Sequence, residues 1–192
     1  MIDLQIKYYL GIFAIILSFV AIIPYIISIL RNKTKPHAFS WIIWGISTFI
    51  IFLAQFFSGG GAGSWSIGVS GVVTIGIAIL AYVKKSDYSI TKSDWACLFV
   101  ALAAIPCWYF TSSPLYAVVI LTTVDLVGYL PTLRKSYHKP FEESVTLFSI
   151  MVCRNFFSIL ALEIYSATNV LFQVATMMAN LAVITLVLLR RR

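Results

Sequence analysis

Two charged residues, Asp125 and Arg154, lie within long apolar stretches of the sequence. Inside a membrane-spanning helix a charge costs roughly 2.5–3.5 kcal/mol, so it usually has a partner or a function. Asp125 lies eight residues before Leu133 and Arg154 ten residues after Ser144, which corresponds to about 12 and 15 Å of helix rise. These similar depths predict an intramembrane Asp125–Arg154 charge pair. The pair is either a permanent salt bridge or a site that titrates or is opened by a substrate.

Other polar and aromatic residues recur at helical spacing along the apolar stretches. Tyr129 follows Asp125 by four residues and Asn180 follows Gln173 by seven, so each pair shares a helix face. Such faces predict a hydrated cavity with Trp44 as a stacking platform. The alternative is interhelical hydrogen bonding, worth about 0.6 kcal/mol per bond. The predicted substrate-binding residues are Trp44, Gln55, Thr74, Asp125, Tyr129, Asn155, Gln173 and Asn180.

Catalytic and metal chemistry is not indicated. Both histidines, His37 and His138, fall in predicted loops, where neither can activate an embedded nucleophile. The three cysteines lie within apolar stretches without metal-ligand spacing and are expected to be free thiols. The sequence therefore predicts a protein that is not an enzyme, with no catalytic residues, no metal site and no cofactor.

The composition indicates that these residues are positioned by helices in a membrane. The 192-residue chain is 60% hydrophobic and 11% charged, whereas soluble domains carry about 25% charged residues. The net charge of +7 comes from short basic runs between apolar stretches and not from a continuous basic face. This distribution argues against nucleic-acid binding and predicts the lipid bilayer as a partner.

Seven apolar runs predict an all-α polytopic membrane protein with seven transmembrane helices, since about 20 apolar residues can cross a bilayer. The fourth run is short and contains Pro106. The predicted spans are Tyr8–Leu30, Phe39–Phe57, Ser64–Val83, Trp95–Phe110, Leu115–Leu133, Ser144–Leu162 and Ser166–Leu189.

The distribution of lysine and arginine predicts an outside N-terminus and an inside C-terminus, because cytoplasmic loops are enriched in these residues. Twelve of the 14 basic residues then lie inside, whereas Lys7 lies outside and Arg154 within a span. The inside residues are Arg31, Lys33, Lys35, Lys84, Lys85, Lys92, Arg134, Lys135, Lys139, Arg190, Arg191 and Arg192. We expect an integral protein of the plasma membrane of a prokaryote.

A degenerate internal repeat divides the chain. At a constant offset of 104 residues, Lys35-Pro36 matches Lys139-Pro140, Ser40 matches Ser144, and Tyr25 matches Tyr129. This offset predicts two parallel three-helix units joined by a linker helix, a 3+1+3 arrangement. The predicted boundaries are 1–83 for the first unit, 84–113 for the loop and linker helix, and 114–192 for the second unit.

The segment Ile23-Pro24-Tyr25 with Ser40-Trp41, and its echo Tyr129-Leu130-Pro131-Thr132 with Ser144, resembles the PQ-loop superfamily. That superfamily includes the SWEET sugar transporters and lysosomal amino-acid exporters. The resemblance implies the 3+1+3 plan, hinges at Pro24 and Pro131, and a substrate-binding role for Asn180. Static kinks are the alternative for both prolines, because proline removes a helix hydrogen bond in either case.

These features predict a membrane transporter, either a secondary carrier or a facilitator, that works by alternating access between its two units. Its small-molecule substrate is a small polar solute such as a sugar, amino acid or nucleoside. Proton coupling through Asp125 and facilitated diffusion both stay open, as does a homo-oligomeric state. The alternative function is a receptor-like or sensory membrane protein that binds a ligand without transporting it.

Overall fold

A computed structural model describes residues 3–32, 38–84, 92–138 and 140–191. Each predicted apolar stretch forms a helix. α5 continues five residues beyond the predicted Leu133, whereas α6 ends two residues before the predicted Leu162. The helices are α1 (Leu4–Leu30), α2 (Ala38–Phe57), α3 (Ala62–Val83), α4 (Lys92–Thr111), α5 (Pro114–His138), α6 (Val145–Leu160) and α7 (Ala167–Arg190), with a 3₁₀ turn at Pro140–Glu142.

Four helices, α1, α2, α3 and α7, are long and apolar enough to cross a membrane. The other three contribute shorter apolar stretches, at Trp95–Thr111, Pro114–Leu130 and Val145–Leu160. Large apolar side chains also cover the outer surface, among them Phe57 at 73% and Phe110 at 81% exposure. Lipid rather than water is the solvent that suits such a surface. These properties indicate an integral membrane protein.

Serine side chains cap the N-termini of α6 and α7. Ser144 Oγ accepts a hydrogen bond from the Leu147 backbone N–H at 3.2 Å, and Ser166 Oγ accepts one from Asn169 N–H at 3.3 Å. Each bond satisfies a backbone donor that the first turn of a helix leaves without a partner. The starts of α6 and α7 are therefore encoded locally.

We describe the helices in two groups by their order along the chain, on either side of α4. In the first group, α1–α3, helix α3 packs against both α1 and α2; in the second group, α5–α7, helix α7 packs against both α5 and α6. Between the groups, α1 contacts α6, α2 contacts α5 and α7, and α3 contacts α6. Helix α4 packs against α5 and α2.

Glycine and alanine residues allow the helix backbones to approach closely. A Cβ atom at Gly11 of α1 would lie 2.7 Å from the backbone oxygen of Ala62 at the start of α3. Small residues at such crossings are typical of membrane helices, where close van der Waals packing replaces the hydrophobic effect.

Several residues on which the predicted orientation and repeat depend lie outside the described residues. They are Lys33, Lys35, Pro36, His37, Lys85, Lys139 and Arg192.

Candidate functional site

A cavity of about 400 Å³ lies between the two helix groups. Its wall combines polar and aromatic residues from α1, α2, α3, α5, α6 and α7, a volume and composition typical of small-molecule sites. The polar and aromatic residues of the wall are Ser18, Phe19, Tyr25, Trp41, Trp44, Thr48, Ser70, Thr74, Asp125, Tyr129, Thr132, Phe148, Arg154, Asn155, Phe172, Thr176 and Asn180.

The structure brings most of the predicted site residues into this one wall. They are Trp44, Thr74, Asp125, Tyr129, Arg154, Asn155 and Asn180. Gln55 and Gln173, also predicted to bind substrate, lie outside the wall. The two glutamines are fully buried and bond to each other instead, each Nε2 donating to the other Oε1, at 3.0 and 3.1 Å. Because both side chains are buried and already paired, neither amide is exposed to a solute in the cavity.

Asp125 and Arg154 both face the cavity, but the described residues contain no direct salt bridge between them. Arg154 Nη1 instead donates a hydrogen bond to Ser70 Oγ of α3 at 3.0 Å. Arg154 Nε is buried without a partner. The two predicted partners therefore interact electrostatically across the cavity wall without a direct salt bridge, while Ser70 accepts a hydrogen bond from the guanidinium.

A network of amide and hydroxyl groups forms the wall on the α6–α7 side. Tyr129 Oη donates to Asn180 Oδ1 at 3.4 Å, and Asn180 Nδ2 donates to the backbone oxygen of Thr176 at 2.7 Å. Asn155 Nδ2 donates to Thr176 Oγ1 at 3.1 Å, while Asn155 Oδ1 is buried without a partner. Thr176 is a site residue that the sequence analysis missed. Its spacing three residues after Gln173 and four before Asn180 placed it on the same helix face.

Three aromatic rings from α1 and α2 form the facing wall. Tyr25 stacks on Trp41 with ring centroids 5.2 Å apart, and Trp41 meets Trp44 edge-on at 5.6 Å. Trp44 also packs against α5, since a Cβ atom at Gly128 would lie 2.8 Å from Trp44 Nε1. The predicted stacking platform at Trp44 is therefore part of a larger aromatic surface that includes Tyr25 and Trp41.

Hydrogen bonds across the two groups are concentrated at one end of the bundle, formed by loops 58–61 and 161–166, which we call the closed end. The Gln55–Gln173 pair lies on the cavity side of this end, in the last turn of α2 and the second turn of α7. Ser66 Oγ of α3 donates to Ser158 Oγ of α6 at 3.1 Å, and Ser158 Oγ donates to the Gly63 backbone oxygen at 2.6 Å.

The loops of the closed end also bond directly to each other. Glu163 N–H donates to the Gly60 oxygen at 3.3 Å, and Ile164 N–H to the Gly59 oxygen at 3.2 Å. Gly59 has φ +74°, a left-handed conformation that favours glycine. A Cβ there would lie 2.5 Å from the Ile164 side chain. Backbone hydrogen bonds therefore join the two loops next to Gly59, whose left-handed conformation favours glycine.

At the opposite end, the hydrogen bonds described connect residues within one group. Lys84 Nζ of α3 donates to the Leu30 oxygen of α1 at 3.4 Å. Arg191 Nη2, at the end of α7, donates to the oxygens of Pro140 and Glu143 at 3.1 and 2.7 Å. On α1, α2 and α5 most cavity-lining residues lie in the half nearer to this end, whereas Arg154 and Asn155 of α6 and Phe172 and Thr176 of α7 lie in the halves nearer to the closed end.

The two predicted hinge prolines lie within helices. Pro24 is exposed inside α1, and its neighbour Tyr25 lines the cavity. At position 131 the backbone of α5 is helical, and the side chain lies outside the described residues. Hinge motion at these positions stays a prediction.

No protein-family model, no curated protein and no solved structure matches this chain.

Proposed function

We propose that this protein is a secondary transporter or facilitator that moves a small polar solute by alternating access. The observation that carries the proposal is the cavity of about 400 Å³ between the two helix groups, whose largely apolar wall contains a few polar and two charged side chains. Substrate sites near the midplane, at the interface between structural repeats, are characteristic of transporters.

The helix contacts support a 3+1+3 arrangement of two parallel units. The α1–α6 contact corresponds to the α5–α2 contact, and the α3–α6 contact corresponds to the α7–α2 contact. In each group the third helix packs against the first two. Residues 1–83 and 114–192 are then repeats related by an axis along the membrane normal, with 84–113 as the linker.

The lengths of the shorter apolar helices are compatible with seven spans. α4 has 20 residues and α5 has 25, which gives about 30 and 37 Å of rise. α6 has 16 residues, about 24 Å of rise. A thinner local bilayer accommodates a helix of that length at a modest cost.

The hydrogen bonds across the closed end support a conformation in which solute reaches the cavity from the opposite end. Alternating access then requires the Gln55–Gln173 and Ser66–Ser158 bonds to break when the closed end opens. This plan also agrees with the resemblance of the two repeats to the PQ-loop superfamily. A receptor on the same scaffold would bind its ligand in this cavity without opening the closed end.

A disulfide across the closed end tests the transport mechanism. In a background lacking Cys97, Cys107 and Cys153, we replace Ser66 and Ser158 by cysteine, because their Oγ atoms lie 3.1 Å apart. Purified protein in liposomes is assayed with radiolabelled amino acids, monosaccharides and nucleosides. We expect uptake of one class, loss of that uptake on oxidation and recovery on reduction.

The two single-cysteine variants and the cysteine-free protein are the controls, and their uptake should not respond to oxidant. Saturable binding without flux for every solute class would favour the receptor. Full uptake by the cross-linked protein would show that the closed end does not need to open.

A further inference from the structure

The two charges in the cavity wall point to the chemical class of the solute, and this inference rests on the proposed transport function. Among the described residues that line the cavity, Asp125 and Arg154 alone carry formal charges. Both lie in the second helix group, on α5 and α6. Burying opposite charges in an apolar surrounding is costly unless each is paired and hydrogen-bonded.

The two charged groups interact electrostatically in this structure, but the described residues contain no direct salt bridge between them. Arg154 is only 6% exposed, and its Nη1 donates a hydrogen bond to Ser70 Oγ at 3.0 Å. Its Nε has no partner, and within the described ranges no hydrogen bond or ion pair reaches Asp125. Buried polar groups are almost always hydrogen-bonded, so a guanidinium with one protein acceptor at a cavity wall is suited to bind an anionic group as well.

We propose that the cavity binds a zwitterion that carries one ammonium and one carboxylate group. The ammonium faces Asp125 and the carboxylate faces the guanidinium of Arg154. A guanidinium donates charge-assisted hydrogen bonds to a carboxylate, and because Ser70 accepts from Nη1 and Nε is buried, Nη2 is the nitrogen that remains for the solute. A solute of this kind neutralises both charges at once, which an uncharged sugar or nucleoside does not.

Other residues of the cavity wall could contact the side chain of such a zwitterion. Asn155 Oδ1 is a buried acceptor without a partner. The Tyr25, Trp41 and Trp44 rings form an apolar surface on the first helix group. Aromatic faces pack against an apolar side chain and also attract a quaternary ammonium group. Both an amino acid and its trimethylated betaine therefore share the required chemistry.

The test begins with ligand chemistry on the unmodified protein. Each L-amino acid is screened by binding to purified protein, and the tightest one is compared with its amide, its N-acetyl form and its N,N,N-trimethyl betaine. We expect the amide and the N-acetyl form, each lacking one charge, to bind about tenfold or more weakly, a loss of one charge-assisted contact. The betaine distinguishes an amino-acid ligand from a betaine ligand. If the betaine keeps the affinity of the amino acid, the site recognises the positive charge without needing N–H donors on the ligand.

Two charge-removing variants then assign each end of the ligand. Asp125→Asn should weaken binding of the zwitterion about tenfold or more and leave the affinity for the N-acetyl form unchanged. Arg154→Gln should weaken zwitterion binding to a similar extent and leave the affinity for the amide unchanged. Thr123→Ala and Cys153→Ala alter exposed neighbours of these residues and serve as matched controls without effect. If Arg154→Gln does not fold, Arg154→Lys replaces it and should retain zwitterion binding. The ligand series on the unmodified protein tests the proposal without any variant.

The outcomes separate this inference from the proposed function. If the protein takes up an uncharged sugar or nucleoside, and this uptake is unchanged in both charge-removing variants, the proposed zwitterion site is wrong. The proposed transport function then stays supported. Equal affinity for the zwitterion and its single-charge derivatives also overturns it. Zwitterion binding with the predicted variant pattern but without liposome flux upholds the site and overturns transport.

Discussion

At the scale of single residues, the structure separates polar side chains that serve packing from those available to a solute. Gln55 and Gln173 are buried away from the cavity and bond to each other, whereas Arg154 and Asn155 line the cavity and each retains a polar atom without a partner. The difference follows from position, because the glutamines lie where α2 and α7 meet and no space remains between them. In an apolar environment, a polar group bonds to whichever partner the packing brings to it.

The Gln55–Gln173 pair should show strong energetic coupling. Replacing either residue by leucine leaves the other amide buried without a partner, whereas replacing both removes the unsatisfied groups together. We expect a double-mutant cycle, measured by reversible unfolding in detergent, to give a coupling of about 0.6–1.7 kcal/mol.

The matched control combines Gln55→Leu with Cys153→Ala, an exposed site on α6, and these effects should add. Additive losses for the glutamine pair itself would mean that the two amides do not depend on each other.

At the scale of helices, small residues set how closely the backbones cross. Gly11 lets α1 approach the start of α3, where a Cβ atom would meet the Ala62 backbone oxygen at 2.7 Å. Backbone atoms cannot rotate away as side chains can, so the crossing depends on glycine at this position. This contact lies in the half of the bundle that contains the closed end, and it helps to place α1 against its neighbours there.

Gly11→Ala should therefore destabilise the protein by about 1–3 kcal/mol, the usual effect of overpacking. Gly76→Ala on α3 is the matched control, because nothing lies within 4 Å of its added Cβ. Alanine also has the higher helix propensity, by up to about 1 kcal/mol. Thermal unfolding of the purified variants should thus give opposite signs, and equal stability for both would contradict the close crossing.

At the scale of the whole molecule, the pairing of the two helix groups gives the cavity its position and the closed end its contacts. The hydrogen bonds across the groups at loops 58–61 and 161–166 close one end, and the cavity lies between this end and the opposite one. With the proposed N-out, C-in orientation, the closed end faces outward and the opposite end of the bundle faces the cytoplasm.

Thiol labelling of single-cysteine variants tests this orientation. Ser112 lies in the loop between α4 and α5, and Phe141, which is 78% exposed, lies at the opposite end of the bundle. In intact cells, a membrane-impermeant maleimide should label Ser112→Cys and should reach Phe141→Cys only after permeabilisation, because the basic loops stay inside. Labelling in the reverse order would invert the proposed orientation and place the closed end in the cytoplasm.

The sequence by itself determined the helices and many of the residues in the cavity wall. Apolar runs long enough for a bilayer predict helices from local composition, and a polar residue within such a run indicates a buried function. Asp125, Tyr129 and Asn180 could be identified as candidates for this reason. The boundaries of α5 and α6 shifted by a few residues, since helix ends depend on caps and on contacts beyond the apolar run.

The tertiary structure alone decided which polar groups pair and which stay available. Helical spacing places Gln173 and Asn180 on one face, but it does not show that Gln173 meets Gln55 while Asn180 meets Tyr129. Depth along the helices predicted an Asp125–Arg154 charge pair, but it did not show that Ser70 of α3 accepts a hydrogen bond from the guanidinium. Hydrogen-bond partners depend on contacts between residues far apart in the chain, and these contacts exist only once the helix groups have packed.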